Sequence, residues 1–292
     1  MNQNFKLLTA AAFLGVCGAA QAASFTGSYS QNFDSMGTTT TLPTDWTTWT
    51  AAGAHDTWAT GITANGSSNS VSSMTSAGSS LVSAILDSSI VAGTKSANAY
   101  NIAHAATPTD RVLSTSPTGN DGSALQLLLT NSTGAAVNSV AISYDIDKFY
   151  DGTKQSSISG SFPAGEELPG YQLFYSVNGG AWANVSALNP VSTADGVHPY
   201  IPVGTINATG TNGPVDYSVT SISNAVVTFG TAWGAGQTLQ LRWVDDNAVN
   251  ISNDQVIGLN NVSVAAVPEP ETYAMFLAGL GLLGLARRQG KQ

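Results

Sequence analysis

The chain has 292 residues, of which 42% are hydrophobic and only 9% are charged, and its 9 Lys plus Arg against 18 Asp plus Glu give a formal net charge of -9. An acidic chain without a basic run excludes nucleic-acid partners, because affinity for phosphate backbones comes from clustered cationic side chains. The low charge and high hydrophobic content exclude disorder driven by charge repulsion. We expect a folded core whose surface carries mainly neutral hydroxyl and amide groups.

The first 22 residues have the three parts of a signal peptide. Lys6 supplies the positive start, residues 7–20 are apolar and uncharged, and an Ala-Gln-Ala site for signal peptidase follows. We predict cleavage between Ala22 and Ala23. The single cysteine of the chain lies in this leader, so the mature protein has no disulfide and no cysteine-based metal site.

The body, residues 23–266, is predicted to be all-β. Short β-rich runs are separated by Gly, Asn, Ser and Pro, and no long stretch has helical periodicity. Two runs alternate between apolar and polar residues, which indicates strands with one buried face each. The predicted buried residues are Val140, Ile142, Tyr144 and Ile146 in the first run and Leu239, Leu241 and Trp243 in the second.

Other signals in the body favour the same class. Residues 173–177 lead into Asn178-Gly179, a pair that tolerates the positive φ angles of a tight hairpin turn. Residues 125–129 and 256–264 predict further strands.

Asp145, Asp147 and Asp151 form the densest carboxylate group. On a strand, Asp145 and Asp147 point the same way at a separation of about 6.6 Å, which lies within the range that glycoside hydrolysis requires. This spacing allows a glycosidase hypothesis. The more ordinary interpretation is a solvated strand face beside Lys148, and we expect a protein that is not an enzyme and has no catalytic residue.

Two further binding hypotheses also arise. Asp34 near the first strand and Asp254 and Asn260 near the last, with Asp245 beside them, are oxygen donors of the kind that Ca²⁺ prefers, although the same residues also form turns. No other cofactor is expected.

The N-terminal part of the body is rich in tryptophan. The indole rings of Trp46 and Trp49 have flat faces that stack on sugar rings, and we take these two residues as candidates for carbohydrate binding. The alternative for each is packing in the core.

The C-terminus has three parts in sequence. Pro268-Glu269-Pro270 favours an extended linker, because proline interrupts strand ladders and helices. The uncharged stretch 273–286 would be about 21 Å long as a helix, so it spans the ~30 Å hydrocarbon core only with its flanking residues. Arg287 and Arg288 follow and are expected to stay cytoplasmic, which places the body outside.

This ordered tail, residues 267–292, resembles the PEP-CTERM sorting signal of Gram-negative bacteria. The resemblance implies an exosortase as partner, with transient anchoring in the inner membrane through the tail helix. It further implies release to the cell surface or the exopolysaccharide matrix. The family does not share one molecular activity, so the resemblance implies sorting only.

The body resembles a jelly-roll domain of secreted bacterial proteins, which implies a jelly-roll-like β-sandwich. The sequence departs from that pattern at residues 147–150, where Glu-x-Trp-Arg is usual, and at Asn260, where Asp is usual. The phrases that carry the resemblance are Asn32-Phe33-Asp34-Ser35-Met36-Gly37, Thr109-Asp110-Arg111-Val112-Leu113, Asn131-Ser132-Thr133-Gly134, Leu241-Arg242-Trp243-Val244-Asp245 and Ile257-Gly258-Leu259-Asn260-Asn261-Val262.

We therefore expect an exported surface or matrix protein with a structural or adhesive role and no catalysis. A carbohydrate-binding module is the first alternative, and a glycosidase that uses Asp145 and Asp147 is the second. The expected partners are signal peptidase, the exosortase, the inner membrane and exopolysaccharide.

Overall fold

The computed structural model describes residues 21–51, 70–78, 81–90, 98–117, 122–150, 170–191, 194–201, 217–246 and 255–268. Within these ranges the chain forms a sandwich of two seven-stranded β-sheets and contains no α-helix. The predicted all-β class is confirmed. The predicted leader, except its last two residues, and nearly all of the predicted tail lie outside the described residues.

Fourteen strands are described. In chain order they are β1 (Ala23–Phe25), β2 (Ser28–Gln31), β3 (Trp46–Ala51), β4 (Thr75–Gly78), β5 (Ala84–Leu86), β6 (Asn98–Ala103), β7 (Val112–Ser116), β8 (Gly122–Asn131), β9 (Val137–Tyr150), β10 (Gln172–Val177), β11 (Ala183–Asn184), β12 (Ser218–Trp233), β13 (Thr238–Asp246) and β14 (Val256–Ala266).

The strands divide into two sheets, which we call sheet A and sheet B. Sheet A has the order β11-β10-β13-β8-β3-β4, with β1 running parallel to the end of β8. Sheet B has the order β12-β9-β14-β7-β6-β5, with β2 antiparallel to β14. Strands far apart in the chain are therefore neighbours in both sheets, which is what an elaborate sandwich topology requires.

The core lies between the two sheets. The predicted inward residues of the two alternating runs are all fully buried there or nearly so. Phe25 and Trp233 pack with ring centroids 4.9 Å apart, which joins β1 to the end of β12. The alternation of apolar residues thus identified the inner faces of β9 and β13 correctly.

The predicted hairpin is also confirmed. Asn178 and Gly179 have φ angles of 51° and 69° between β10 and β11. Asparagine and glycine accept this left-handed conformation at the lowest steric cost.

Two apolar clusters lie on the outer faces of the sandwich in addition to the core. One covers the outer face of sheet A and contains Val71, Met74 and Phe174. The other covers part of the outer face of sheet B and contains Tyr100 and Phe149. The outer faces therefore carry packed side chains.

Candidate functional site

Two tryptophans and one arginine form a stack on the outer face of sheet A. The guanidinium carbon of Arg242 lies 4.0 Å from the ring centroid of Trp49 and 4.4 Å from that of Trp182. Both indole rings are half-buried, whereas Arg242 is only 2% exposed. The quadrupole of each indole ring attracts the guanidinium cation. Because the Arg242 side chain is itself held in one rotamer, this attraction fixes both rings.

Hydrogen bonds to neighbouring groups also hold the Arg242 side chain in place. Gln126 Oε1 accepts from Arg242 Nε at 2.9 Å and from Arg242 Nη2 at 2.5 Å. Arg242 Nη1 donates to the backbone carbonyl of Val71. Burial lowers the pKa of Arg242 to about 9, so the guanidinium is still charged at neutral pH.

Gln172 lies two residues before Phe174 on β10, so its side chain is on the same face of sheet A as Arg242. It pairs with Val244 in the ladder where Phe174 pairs with Arg242. Gln172 is 1% exposed, and among the described residues neither its Oε1 nor its Nε2 has a hydrogen-bond partner. An amide whose donor and acceptor are both unused is costly in a folded protein.

The sequence hypothesis for tryptophan is corrected at one residue. Trp46 is fully buried: its ring packs edge-on against Phe33 at 4.9 Å and stacks with Trp243 at 5.6 Å. Its Nε1 donates to the hydroxyl of Tyr29 at 2.8 Å. Trp46 is a core residue with no face for a sugar, because its strand position points between the sheets.

Trp49 lies three positions after Trp46 on β3, and this odd spacing turns its side chain to the opposite face of the strand. Trp49 packs on the outer face of sheet A with a half-exposed ring, and its Nε1 donates to Thr47 Oγ1 at 2.9 Å. Trp182, which follows the hairpin turn, packs against the opposite face of the same guanidinium group. Sequence reasoning did not connect Trp182 or Arg242 with Trp49; the one available signal was a charged residue between the core residues Leu241 and Trp243.

A second polar cluster lies on the outer face of sheet B. The Tyr217 hydroxyl donates to Asp147 Oδ2 at 3.0 Å, and the Tyr217 ring stacks on the His104 ring with centroids 4.2 Å apart. His104 Nδ1 in turn pairs with an oxygen of Asp87. Burial raises the pKa of Asp147 to about 7, with smaller contributions in the same direction from Asp110 and Asp145 and an opposing one from the Tyr217 hydrogen bond.

The predicted common orientation of Asp145 and Asp147 is confirmed, whereas the predicted solvation is wrong for Asp147 and for the neighbouring Lys148. Both point to the outer face of sheet B, opposite Asn260 and Gly258 of β14. However, Asp147 is 2% exposed and Lys148 is 1% exposed, because apolar residues pack around the end of β9. The third acid of the predicted cluster, Asp151, lies outside the described residues.

The candidate calcium ligands are engaged with protein groups. Asp34 Oδ1 accepts the backbone N–H of Arg111 at 2.9 Å, and its Oδ2 accepts from Asn32 Nδ2 at 2.7 Å. Asn260 Nδ2 donates to Asp110 Oδ1 at 2.9 Å, and its Oδ1 accepts the N–H of Asn261.

Of the two other acids proposed near this site, only Asp245 lies within the described residues, and it is placed elsewhere. Asp245 is buried between the sheets, where it accepts from Thr115 Oγ1 at 2.5 Å and from Gln255 Nε2 at 2.8 Å. Asp254 lies outside the described residues. Within the described ranges no three His, Cys, Asp or Glu side chains are placed to hold a metal ion, so the calcium hypothesis stays a prediction.

The junction between the body and the tail is well defined. The last strand, β14, lies inside sheet B and ends at Ala266. Ala266 N–H donates to the carbonyl of Gly27 at 2.9 Å, and Val267 N–H donates to the carbonyl of Ser139 at 3.1 Å. The chain therefore leaves the folded body at Pro268, where the predicted linker starts.

Residues 266–291 match the model of the PEP-CTERM protein-sorting motif. This chain carries a PEP-CTERM tail. The motif indicates an exported protein that is anchored transiently in the membrane and processed by an exosortase. No helix among the described residues is long and apolar enough to cross a membrane. No curated protein sequence matches the chain.

Three solved structures resemble the body at low identity. The K3 cleaved adhesin domain of Lys-gingipain from Porphyromonas gingivalis W83 has 12% identity and a TM-score of 0.32, over 82% of this chain and 98% of that one. TmCBM61, solved with β-1,4-galactotriose, has 8% identity and a TM-score of 0.23, over 54% and 72%. The mannan-recognising module TmCBM27 has 16% identity and a TM-score of 0.24, over 55% and 76%.

Proposed function

We propose that this PEP-CTERM protein is a non-catalytic surface or matrix protein whose β-sandwich has a structural or adhesive role after exosortase processing. In this proposal the leader, residues 1–22, directs export and the tail helix anchors the chain in the inner membrane with the body outside. Cleavage near Pro268 then releases the body to the cell surface or the exopolysaccharide matrix. The jelly-roll resemblance of the body belongs to the same proposal.

The observation that carries this proposal is the junction at Ala266. All fourteen described strands end at or before this residue, and the sorting motif begins there. A protease that cuts just beyond β14 therefore removes no strand. The body can be released with both sheets complete.

Catalysis is not part of the proposal because the best acid is inaccessible. Asp147 has the raised pKa that a general acid needs. It is only 2% exposed and is hydrogen-bonded to Tyr217. A glycosidic oxygen has to come within hydrogen-bond distance of such a group, and this arrangement leaves it no path.

The experiment that tests the proposal changes the linker and leaves the body untouched. In its native host, a chain with Pro268→Ala and Pro270→Ala is expected to stay in the membrane fraction, whereas the natural chain is found on the surface or in the matrix. Pro108→Ala, in an exposed turn of the body, is the control and is expected to be released normally. Normal release of the double variant would contradict the proposal.

Carbohydrate binding by the sheet A stack is a second candidate function. The supporting observation is that Trp49 and Trp182 are partly exposed and that the guanidinium group of Arg242 packs against both rings. Rigid aromatic faces are a usual component of a sugar-binding surface, because the rings supply contact area at a low cost in conformational entropy.

A binding assay with the host's own exopolysaccharide tests this second function. Trp182→Ala and Trp49→Ala are each expected to weaken binding by at least ~10-fold, the loss typical of a central aromatic contact. Tyr200→Ala removes a half-buried aromatic ring from a residue whose carbonyl accepts a hydrogen bond from Thr220 of β12 in sheet B, and it is expected to leave binding unchanged. Equal binding by all three variants would exclude the stack as the site.

A further inference from the structure

One edge of sheet B carries the longest strand of the described fold. β12 has 16 residues, and among the described residues it pairs with β9 only. The other edge strands are short, with 4 residues in β4, 3 in β5 and 2 in β11. A long edge presents a row of backbone N–H and C=O groups to another strand, which natural proteins usually prevent.

The usual protective devices are almost absent from β12. Its sequence, SVTSISNAVVTFGTAW, has no charged residue and no proline, although charges and prolines are what normally block pairing at an edge. β12 has two register shifts against β9, between Ile222 and Ala225 and between Thr228 and Trp233, and Asn224 within the first shift has a φ of 52°. The stretches before and between these shifts keep regular strand geometry.

Exposed apolar side chains concentrate at this same edge. Four large hydrophobic residues in the described part of the chain are exposed, and two of them, Val219 at 49% and Val226 at 61%, belong to β12. A third, Val197 at 75%, faces the same groove as Val226. The fourth, Val82, lies beside β6 toward the opposite edge of sheet B.

A groove of about 570 Å³ lies between β12 and the segment that follows β11. β12 forms one wall with Thr220, Ile222 and Val226, and the other wall is formed by the segment after β11 with Leu188, Val197 and Tyr200. An extended strand is the shape that such a site accepts, since the main chain binds the sheet edge and alternate side chains enter the apolar groove.

We propose that the occupant of this groove is β12 of a second copy of the chain, paired antiparallel across a two-fold axis. An edge strand is its own complement in this arrangement, because a two-fold axis brings the same surface from each copy together. The absence of charge on β12 matters here, since a charged edge would repel its own copy. This pairing makes a second copy of the chain the partner in the structural role proposed above. The pairing itself does not depend on sorting by the exosortase.

Sedimentation velocity on the purified full chain in mild detergent tests the pairing. The natural chain is expected to dimerise reversibly over a concentration series up to about 100 μM, and Val226→Lys is expected to weaken dimerisation by at least ~10-fold, because it places two like charges at the paired edges. Val82→Lys is the matched control, as the side chain is similarly exposed at a distance from β12, and it is expected to dimerise normally.

A cysteine cross-link gives a second readout in a chain whose leader cysteine has been replaced. Val226→Cys is expected to give a covalent dimer under mild oxidation, and Val82→Cys is not. A natural chain that stays monomeric at every concentration would overturn the proposal, as would equal dimerisation of Val226→Lys and Val82→Lys. A monomeric chain that instead binds a synthetic extended peptide at β12 would show that the occupant is a foreign strand, and the proposal would be wrong.

Discussion

The hydroxyl of Tyr217 donates a 3.0 Å hydrogen bond to Asp147 on the outer face of sheet B. This contact is the best-defined interaction of a carboxyl group that is almost completely buried and has two other acids near it, Asp110 and Asp145. Its consequence is a pH dependence of stability that the chain's composition does not suggest.

The first prediction concerns Asp147→Asn. Because the pKa of Asp147 is about 7 in the folded protein and about 4 when unfolded, the folded form binds more protons between those values. The free energy of unfolding therefore falls as pH rises from about 4 to about 7 and does not recover above that. Asp147→Asn should flatten this slope and be more stable than the natural chain at pH 8 by ~2 kcal/mol.

Urea denaturation at a series of pH values measures this slope. Asp145→Asn removes a less buried acid from the same face of β9 and is the comparison variant; it should flatten the slope much less, since Asp145 makes only a small contribution to the raised pKa of Asp147. Identical pH slopes for the natural chain and Asp147→Asn would mean that Asp147 is charged and solvated in the folded protein.

The second prediction separates the two tryptophans of β3. Trp46→Ala should lower the free energy of unfolding by ~3–5 kcal/mol, because a large core ring is lost and a cavity remains. Trp49→Ala should cost clearly less, since its ring is partly exposed. Thermal melts of the two variants test this, and equal losses would place both rings in equivalent surroundings.

The third prediction concerns the contact between β14 and β7. A Cβ atom on Gly258 would lie 2.4 Å from both Ser114 Oγ and Val112 Cγ1, and 3.1 Å from the backbone oxygen of Leu113. Gly258→Ala should therefore destabilise the protein by ~1–3 kcal/mol through overpacking. Gly230→Ala is a matched strand control with no atom near its Cβ, and it should change stability by about 0.5 kcal/mol or less.

The fourth prediction concerns calcium. We expect EDTA to leave the melting temperature unchanged, because both carboxylate oxygens of Asp34 already accept hydrogen bonds from Arg111 and Asn32. A cation bound only by the folded state would raise apparent stability in proportion to its occupancy. A clear drop in melting temperature on chelation, reversed by added Ca²⁺, would contradict this expectation and support a calcium site at Asp34 and Asn260.

The sequence predicted the parts of the fold that depend on local pattern. Alternation along β9 and β13 identified their inner faces, and Asn178-Gly179 identified the hairpin, because side-chain direction and turn geometry are properties of neighbouring residues. The match of residues 266–291 to the sorting motif is also a local signal.

The outer faces of the sheets were not predictable in the same way. Alternation assigns Arg242 to the solvent face of β13 and Lys148 to the core face of β9. Both charged side chains are buried. What covers Arg242 is Val71 and the rings of Trp49 and Trp182, which are far away in the chain. The burial of these residues depends on strand order, and strand order in a sandwich is a long-range property.

The central claim is that the protein is exported and sorted through its tail, and the most direct test is its intact mass in the medium and membranes of its host, with and without the exosortase. We predict a species outside the cell that lacks residues 1–22 and the segment beyond Pro268, present only when the exosortase is active. A chain that keeps its complete tail in every fraction would contradict the account and make the C-terminal segment a permanent anchor.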